Sequence, residues 1–206
     1  MSDQELSRLV DNAAVAVGSP EFLEKLGSFP RDNLIARLTQ IRDRLAPDDR
    51  LRPEIAFVFC YLKRDYVDNR SIVVSGLYGP SPPERYKGFA HDDAIGMVGL
   101  LIKWGDKELL KTVFASASHA DAAFAEGIQD VLDQEMWNDP ENFLVSLKDQ
   151  PPEVKERIYE LIDWYDSPDN RKFMDYLKSA SARPETAHIS KELMKVLKAK
   201  EQKRGN

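Results

Sequence analysis

The chain has 206 residues, of which 42% are hydrophobic and 31% charged, and its formal net charge at pH 7 is −6. A chain of this size buries enough apolar surface to fold without disulfides or a structural metal. The negative charge disfavours unspecific binding to nucleic acid or to anionic membranes and favours a basic partner. We therefore expect no nucleic-acid partner and no membrane partner.

The N-terminus and the single cysteine indicate a soluble, cytoplasmic protein. The first five residues, Met1 to Glu5, lack the basic and apolar segments of a secretory signal, and no later run approaches the ~18 apolar residues of a membrane span. Cys60 is the only cysteine, so an intramolecular disulfide is excluded and a reducing compartment is suitable. Because Cys60 stands in the apolar run Ile55 to Leu62, we expect a buried, unreactive thiol.

Apolar residues recur with the 3.6-residue period of amphipathic helices through most of the chain. The clearest stripes run from Leu34 to Leu45, from Ile95 to Ile102, from Leu109 to Ala117, from Phe124 to Leu132 and from Val154 to Tyr165. Short polar breaks between the stripes are typical of antiparallel neighbours. The sequence predicts an all-α fold, with antiparallel short helices in a superhelix-like single domain over residues 1–190.

Residues 51–79 are ambiguous between helix and strand. The segments Ile55 to Leu62 and Ile72 to Val74 are rich in aromatic and β-branched residues, so a small hairpin around 51–79 is the alternative to helices. Pro53 near a helix start, together with the helical neighbours, favours helix. The following prolines and glycine predict an ordered loop over 79–90, which is the candidate boundary between two lobes.

Three helices are predicted to begin with a capping residue, a proline and an acid. These starts are Ser19-Pro20-Glu21, Asp139-Pro140-Glu141 and Ser167-Pro168-Asp169. Each is followed by an apolar patch that begins with a phenylalanine, namely Phe22, Phe143 or Phe173. We expect these three rings to be buried and structurally equivalent. The last two lie 30 residues apart, a spacing that leaves both a degenerate repeat and coincidence open.

In its paired short helices and in the three helix starts with a cap, a proline and an acid, the chain resembles α-α superhelical proteins. The armadillo- and HEAT-like repeats are familiar members of this class. The segment Asp68 to Val74 adds to the resemblance, since it looks like the polar turn and arginine that open a second helix in such repeats. The resemblance extends over residues 3–180. It implies a surface for binding protein or peptide and no shared catalytic residues.

Residues 191–206 form a basic C-terminal helix or tail, with six basic residues against two acids. Leu193, Val196 and Leu197 give the segment a narrow apolar edge. This pattern predicts a terminal helix that docks on an acidic face of the body.

The histidines offer two candidate metal sites. His91-Asp92 resembles the dipeptide of metal-dependent phosphohydrolases of the HD class, but no upstream histidine is present to complete their ligand set. His91 and Asp92, like His119 and Asp121, are typical of a helix start. We therefore predict no metal, no cofactor and no catalytic residue, with a metal-dependent hydrolase that uses His91, His119 and nearby carboxylates as the enzyme alternative.

The tryptophans are the candidate interface residues. Trp104, Trp137 and Trp164 each stand near a helix end, where an indole either packs under the next turn or anchors an interface. The leading hypothesis is a non-catalytic helical domain that binds a protein or peptide. A second hypothesis within the binding class is an immunity or inhibitor-type protein that plugs a basic enzyme.

Overall fold

The computed structural model is all-α. It describes residues 2–11, 20–77, 86, 88–89 and 91–204, and these contain twelve α-helices, two short 3-10 helices and no β-strand. The predicted fold class is therefore confirmed, and the hairpin alternative for residues 51–79 is wrong wherever that segment is described. No helix in the described ranges combines the length and apolar character that a membrane crossing requires.

The contacts between residues divide the chain into two compact units, unit 1 over Met1–Asp106 and unit 2 over Lys107–Asn206. The predicted lobe boundary at 79–90 falls mostly outside the described residues and stays a prediction, as does the superhelical arrangement of the helices.

Unit 1 is built around a helix that is buried on every side. Its helices are α1 (Asp3–Asp11), α2 (Pro20–Gly27), α3 (Arg31–Arg44), α4 (Leu51–Tyr61), α5 (Tyr66–Val74) and α6 (His91–Lys103), with a 3-10 turn at Ser75–Leu77. Helix α4 contacts α1, α3, α5 and α6, and all its residues from Pro53 to Cys60 are buried. A helix buried all round carries no amphipathic period, which explains why this segment was ambiguous in the sequence.

Two helices of unit 1 end in the same hydrogen-bonded turn. After α4, the amides of Lys63 and Arg64 bond back to the carbonyls of Cys60 and Phe59, and the same pattern follows α6 at Gly105. This is the Schellman motif, which requires a left-handed residue after the helix. Gly105 has φ 110° and meets that requirement without strain, whereas Lys63 adopts φ 55° with a full side chain.

The turn after α4 is held from inside by Asn69. This buried side chain donates from its amide to the carbonyl oxygens of Arg64 (2.9 Å) and Asp65 (3.0 Å). Asp65 is also left-handed, at φ 41°. The bonds from Asn69 help to fix two neighbouring backbone conformations that side chains rarely favour.

Over its described residues, 107–204, unit 2 contains six α-helices. They are α7 (Leu109–Ser116), α8 (Ala122–Asn138), α9 (Pro140–Lys148), α10 (Pro152–Leu161), α11 (Pro168–Ala180) and α12 (Ala187–Arg204). A second 3-10 turn, Ala117–His119, follows α7. The predicted starts at Asp139 and Ser167 are confirmed, since each side chain accepts a hydrogen bond from the backbone three residues later. The capping residue of the first predicted start, Ser19, lies outside the described residues.

The core of unit 2 contains a row of three phenylalanines from α7, α9 and α11. Phe114 and Phe143 meet edge to face at 5.5 Å between ring centroids, and Phe143 and Phe173 at 5.9 Å. Phe143 and Phe173 are buried as predicted, and so is Phe22 in unit 1. The equivalence of the three predicted patches stays a prediction.

The basic C-terminal segment forms most of α12. Leu193 and Leu197 are fully buried, and the Lys200 ammonium donates to the carbonyl oxygens of Glu160 (3.1 Å) and Ile162 (2.7 Å) at the end of α10. Arg204 forms an ion pair with Asp163 in the following loop. The cationic end of α12 therefore covers the negative C-terminal end of another helix.

Candidate functional site

The three tryptophans differ in their surroundings. Trp164 is 5% exposed and packs near Phe173, so its indole belongs to the core of unit 2. Trp104, in unit 1, is half-buried and lies 5.4 Å from the ring of Phe57 and 5.2 Å from that of Tyr61. Trp137 is also half-buried, but it forms the wall of a groove in unit 2.

The Trp137 groove has a volume of ≈ 310 Å³ and lies where α8 ends and α9 and α11 begin. It is lined by Met136, Trp137, Asn138, Pro140, Asp169, Lys172, Phe173 and Tyr176. Asp139 is both the C-cap of α8 and the N-cap of α9, so the chain turns between these helices without a loop. This tight junction brings Trp137 and Pro140 into the lining of the same groove.

The indole of Trp137 is held in one orientation by a buried side chain. Its Nε1 donates to the Oδ1 of Asn170 at 3.0 Å, and the Asn170 amide in turn donates to the carbonyl oxygen of Tyr165 at 2.9 Å. Asn170 is 1% exposed. Because both polar ends of this amide are bonded in the interior, Trp137 is fixed before any ligand arrives.

Tyr176 connects the groove to a charged pair. Its hydroxyl donates to the carboxylate of Glu141, which also accepts a hydrogen bond from the guanidinium of Arg183. The Arg183 guanidinium lies 5.2 Å from the centre of the Tyr176 ring. These bonds hold the pKa of Glu141 below its usual range, while burial and the Glu141 carboxylate raise the pKa of Tyr176 to about 12.

Unit 2 also carries an excess of acids. Lys107–Asn206 contains 19 acidic and 15 basic residues, and the excess lies before the basic C-terminal segment, since residues 107–190 contain 17 acidic and nine basic residues. Four exposed acids on α8 and α10 have no ion pair within the described residues, namely Glu126, Asp130, Glu153 and Glu156. Burial, with Asp163 and Asp130 nearby, raises the pKa of Asp133 to about 6. These acids of α8 and α10 therefore carry uncompensated negative charge.

A second trio of tyrosine, acid and arginine lies in unit 1. Asp106 accepts hydrogen bonds from the hydroxyl of Tyr66 (2.6 Å) and from two nitrogens of Arg70 (2.5 and 3.2 Å). The Cys60 thiol is buried beside this trio, and burial raises its pKa to about 12. A thiol of this pKa stays protonated at neutral pH, which agrees with the predicted unreactive cysteine.

Unit 1 has a shallower groove of ≈ 620 Å³ between α3 and the turn after α4. Its arginines already have partners, since Arg31 donates to the carbonyl oxygen of Leu62 and Arg64 pairs with Asp65. No aromatic side chain lines it among the residues that the structure describes. This groove offers little that would anchor a ligand.

The residues proposed as metal ligands are at helix starts. Asp121 caps α8 by accepting from the amide of Phe124, and His119 is exposed in the preceding turn. His91 is the first residue of α6, and Asp92 lies in its first turn. Within the described part of the chain, no group of three or more His, Cys, Asp or Glu side chains is placed to hold a metal ion.

Sequence reasoning missed most of the side chains around Trp137. Asn170, Tyr176 and Arg183 carried no motif, and Glu141 was named only as the acid of a helix start. Nothing in the sequence indicated their contacts, because these join residues 33 to 42 positions apart. The one available signal was Asn170, which lies three residues after the helix cap Ser167. A polar side chain at such a position is usually solvated, so the signal did not indicate a buried residue. No protein-family model matches the sequence, and neither a search of curated proteins nor one of solved structures gives a match.

Proposed function

We propose that this chain is a non-catalytic protein-binding module that takes up a peptide segment of a partner in the Trp137 groove. The observation that carries the proposal is the indole of Trp137, half-buried at a groove wall and fixed by the buried Asn170. Tryptophan is among the residues that contribute most to interfaces, and a fixed side chain loses little entropy when a partner binds.

The other groove residues support the same proposal. Phe173 and Tyr176 add aromatic surface, whereas Asn138, Asp169 and Lys172 place polar groups in the lining. Protein interfaces commonly combine an apolar centre of this kind with a polar rim. The surplus of acids in residues 107–190 favours a partner of positive charge.

Peptides selected from a random library displayed on phage would test this function. Their affinity for the purified chain is measured by fluorescence anisotropy. We expect Trp137→Ala to weaken binding about tenfold or more, as for a central interface tryptophan. Trp104→Ala, which truncates the half-buried indole of unit 1, should leave the affinity unchanged. Circular dichroism of both variants verifies that they remain folded, and equal affinity of Trp137→Ala and wild type would contradict the proposal.

A second candidate function is an immunity or inhibitor-type protein that binds a basic enzyme. The observation that favours it is the set of exposed, unpaired acids on α8 and α10. Such charges accelerate association with a basic surface. In a screen against basic nucleases and hydrolases, Asp130→Lys should slow association with an inhibited enzyme, while the matched Glu24→Lys in unit 1 should not. Absence of inhibition across the screen would reject this candidate.

A further inference from the structure

Three helix ends meet at the Trp137 groove and set its charge. The C-terminal end of the long helix α8 supplies carbonyl groups with partial negative charge. The ends of α9 and α11 are N-termini, which are positive, but Asp139 caps one, and Glu141 and Asp169 lie in their first turns. The carboxylates offset the positive helix ends. Asp139 and Glu141 are paired with Lys107 and Arg183, so the carboxylate that can meet the cation of a ligand is Asp169.

One wall of the groove already binds a cation of the protein itself. The guanidinium of Arg183 lies over the Tyr176 ring and pairs with Glu141. This is a combination of cation–π contact and carboxylate pairing that suits arginine. Tyr176 therefore presents one face to a guanidinium, and Glu141 is occupied.

A similar combination of an aromatic ring and a carboxylate lies in the lining of the groove itself. Trp137 and Asp169 both line it, and the described partner of Asp169 is Lys172, whose ammonium lies 2.9 Å from the carboxylate. The side chains of Lys172 and Asp169 are 77% and 51% exposed. An exposed pair three residues apart on a helix contributes little stability, so Lys172 can be displaced by a competing cation.

We propose that Trp137 and Asp169 form a subsite for an arginine side chain of the bound peptide. This inference rests on the proposed function and names the chemistry that the groove recognises. The planar guanidinium stacks on the indole face and pairs with the carboxylate of Asp169, while Lys172 moves into solvent. Lysine fits less well, because its compact ammonium is strongly hydrated and cannot stack as a plane.

The probe is a set of nine-residue peptide pools with degenerate flanking positions and a fixed central residue. The central residue is Arg, Lys, Leu or Glu, and the flanking positions omit Arg and Lys. The protein is labelled with 5-fluorotryptophan, so that each of its three tryptophans gives a fluorine resonance, assigned with single Trp→Phe variants. We expect the Arg pool to bind at least fivefold more tightly than the Leu and Glu pools, and to shift the Trp137 resonance alone.

Helix α11 provides matched controls for the charges. Asp175 pairs with Lys178 three residues later, in the same way as Asp169 pairs with Lys172, but neither lines the groove. Asp169→Asn should abolish the preference for the Arg pool, and Asp175→Asn, with the same change in net charge, should keep it. Lys172→Ala should tighten binding of the Arg pool about threefold. Lys178→Ala makes the same change in net charge away from the groove, so it should tighten binding much less.

The outcomes separate the subsite from the proposed function. Equal affinity for the Arg and Leu pools, lost in Trp137→Ala, would overturn the arginine subsite and leave the peptide-binding function standing. Binding that is indifferent to Trp137→Ala would overturn both. Failure of the Arg pool to bind at millimolar concentration would overturn the subsite, and the peptides selected from the random library then decide the function separately.

Discussion

Both units join a tyrosine, a carboxylate and an arginine, but they bury the three groups to different degrees. In unit 1 the Asp106 side chain is 14% exposed, and it accepts from Tyr66 and, at both oxygens, from Arg70. In unit 2 the side chains of Glu141 and Arg183 are 47% and 36% exposed. Because water screens charges and competes for hydrogen bonds, the buried trio should contribute more to the stability of the fold than the exposed one.

The largest effect is expected from the core of unit 2. Phe143→Ala removes the central ring of the row in unit 2, which is fully buried between Phe114 and Phe173. Truncation of a buried phenylalanine lowers the free energy of unfolding by about 3–5 kcal/mol. The effects of the charged groups should be smaller than this. Urea unfolding followed by circular dichroism measures the loss. A midpoint equal to that of wild type would show that this ring is not part of the core.

The next effect is expected at the buried trio. Asp106→Ala leaves the hydroxyl of Tyr66 and the guanidinium of Arg70 without their acceptor, and should destabilise the protein by about 2–3 kcal/mol. Asp106→Asn retains an acceptor but no charge, so its loss should be smaller. Both are measured by urea unfolding at pH 7. A loss of stability in Asp106→Ala that is no larger than the loss in Glu141→Gln would contradict the predicted difference between the two trios.

Asp133 is a partly buried acid without an arginine or tyrosine partner in the described structure, and it should behave in the opposite way. Its Oδ1 atom is buried without a hydrogen bond, and its pKa is raised to about 6, mainly by burial. A raised pKa means that ionisation destabilises the fold as the pH rises through 6. Asp133→Asn should therefore stabilise the protein by about 1 kcal/mol at pH 8, after allowance for solvent screening, and by almost nothing below pH 4.

Thermal unfolding at several pH values measures the effect of Asp133→Asn. Its exposed neighbour Asp130, changed to Asn, is the control and should give a smaller gain. A gain at Asp133 that is the same at pH 4 and pH 8 would indicate better packing, because a charge effect must follow the titration.

The smallest effect on stability is expected at the exposed trio. Glu141→Gln removes the charge that pairs with Arg183 and accepts from Tyr176. Because the pKa of Glu141 is lowered, its contribution is present at neutral pH and is lost as the pH falls through that pKa. The stability difference from wild type should be small at pH 7, smaller in 1 M salt, and absent in acid. A loss as large as that of Asp106→Ala would contradict the comparison.

The fold class and several helix starts could be predicted because they depend on neighbours in the sequence. The caps at Asp139 and Ser167 and the buried rings of Phe143 and Phe173 follow from signals within one turn of helix. Helix α4 lacked a clear signal because its burial on all sides removes the polar face on which the pattern depends.

The candidate site could be predicted only in part. Trp137 was named as an interface residue, but so was Trp164, which is buried. A sequence gives the residue type and not the packing, and a tryptophan near a helix end is compatible with either place. Asn170, which fixes Trp137, acts across 33 residues, and such a contact exists only once α8 and α11 have packed together.

The position of Asp106 also bears on the order in which the chain folds during synthesis. It is the last residue of unit 1, yet its carboxylate holds the side chains of α5 some 40 residues upstream. Domains fold as units while the ribosome adds about 5–20 residues per second. The hydrogen bonds that complete unit 1 thus become available only when Asp106 has left the exit tunnel. From that moment the residues of unit 1 are all available to contact one another, before the helices of unit 2 have emerged.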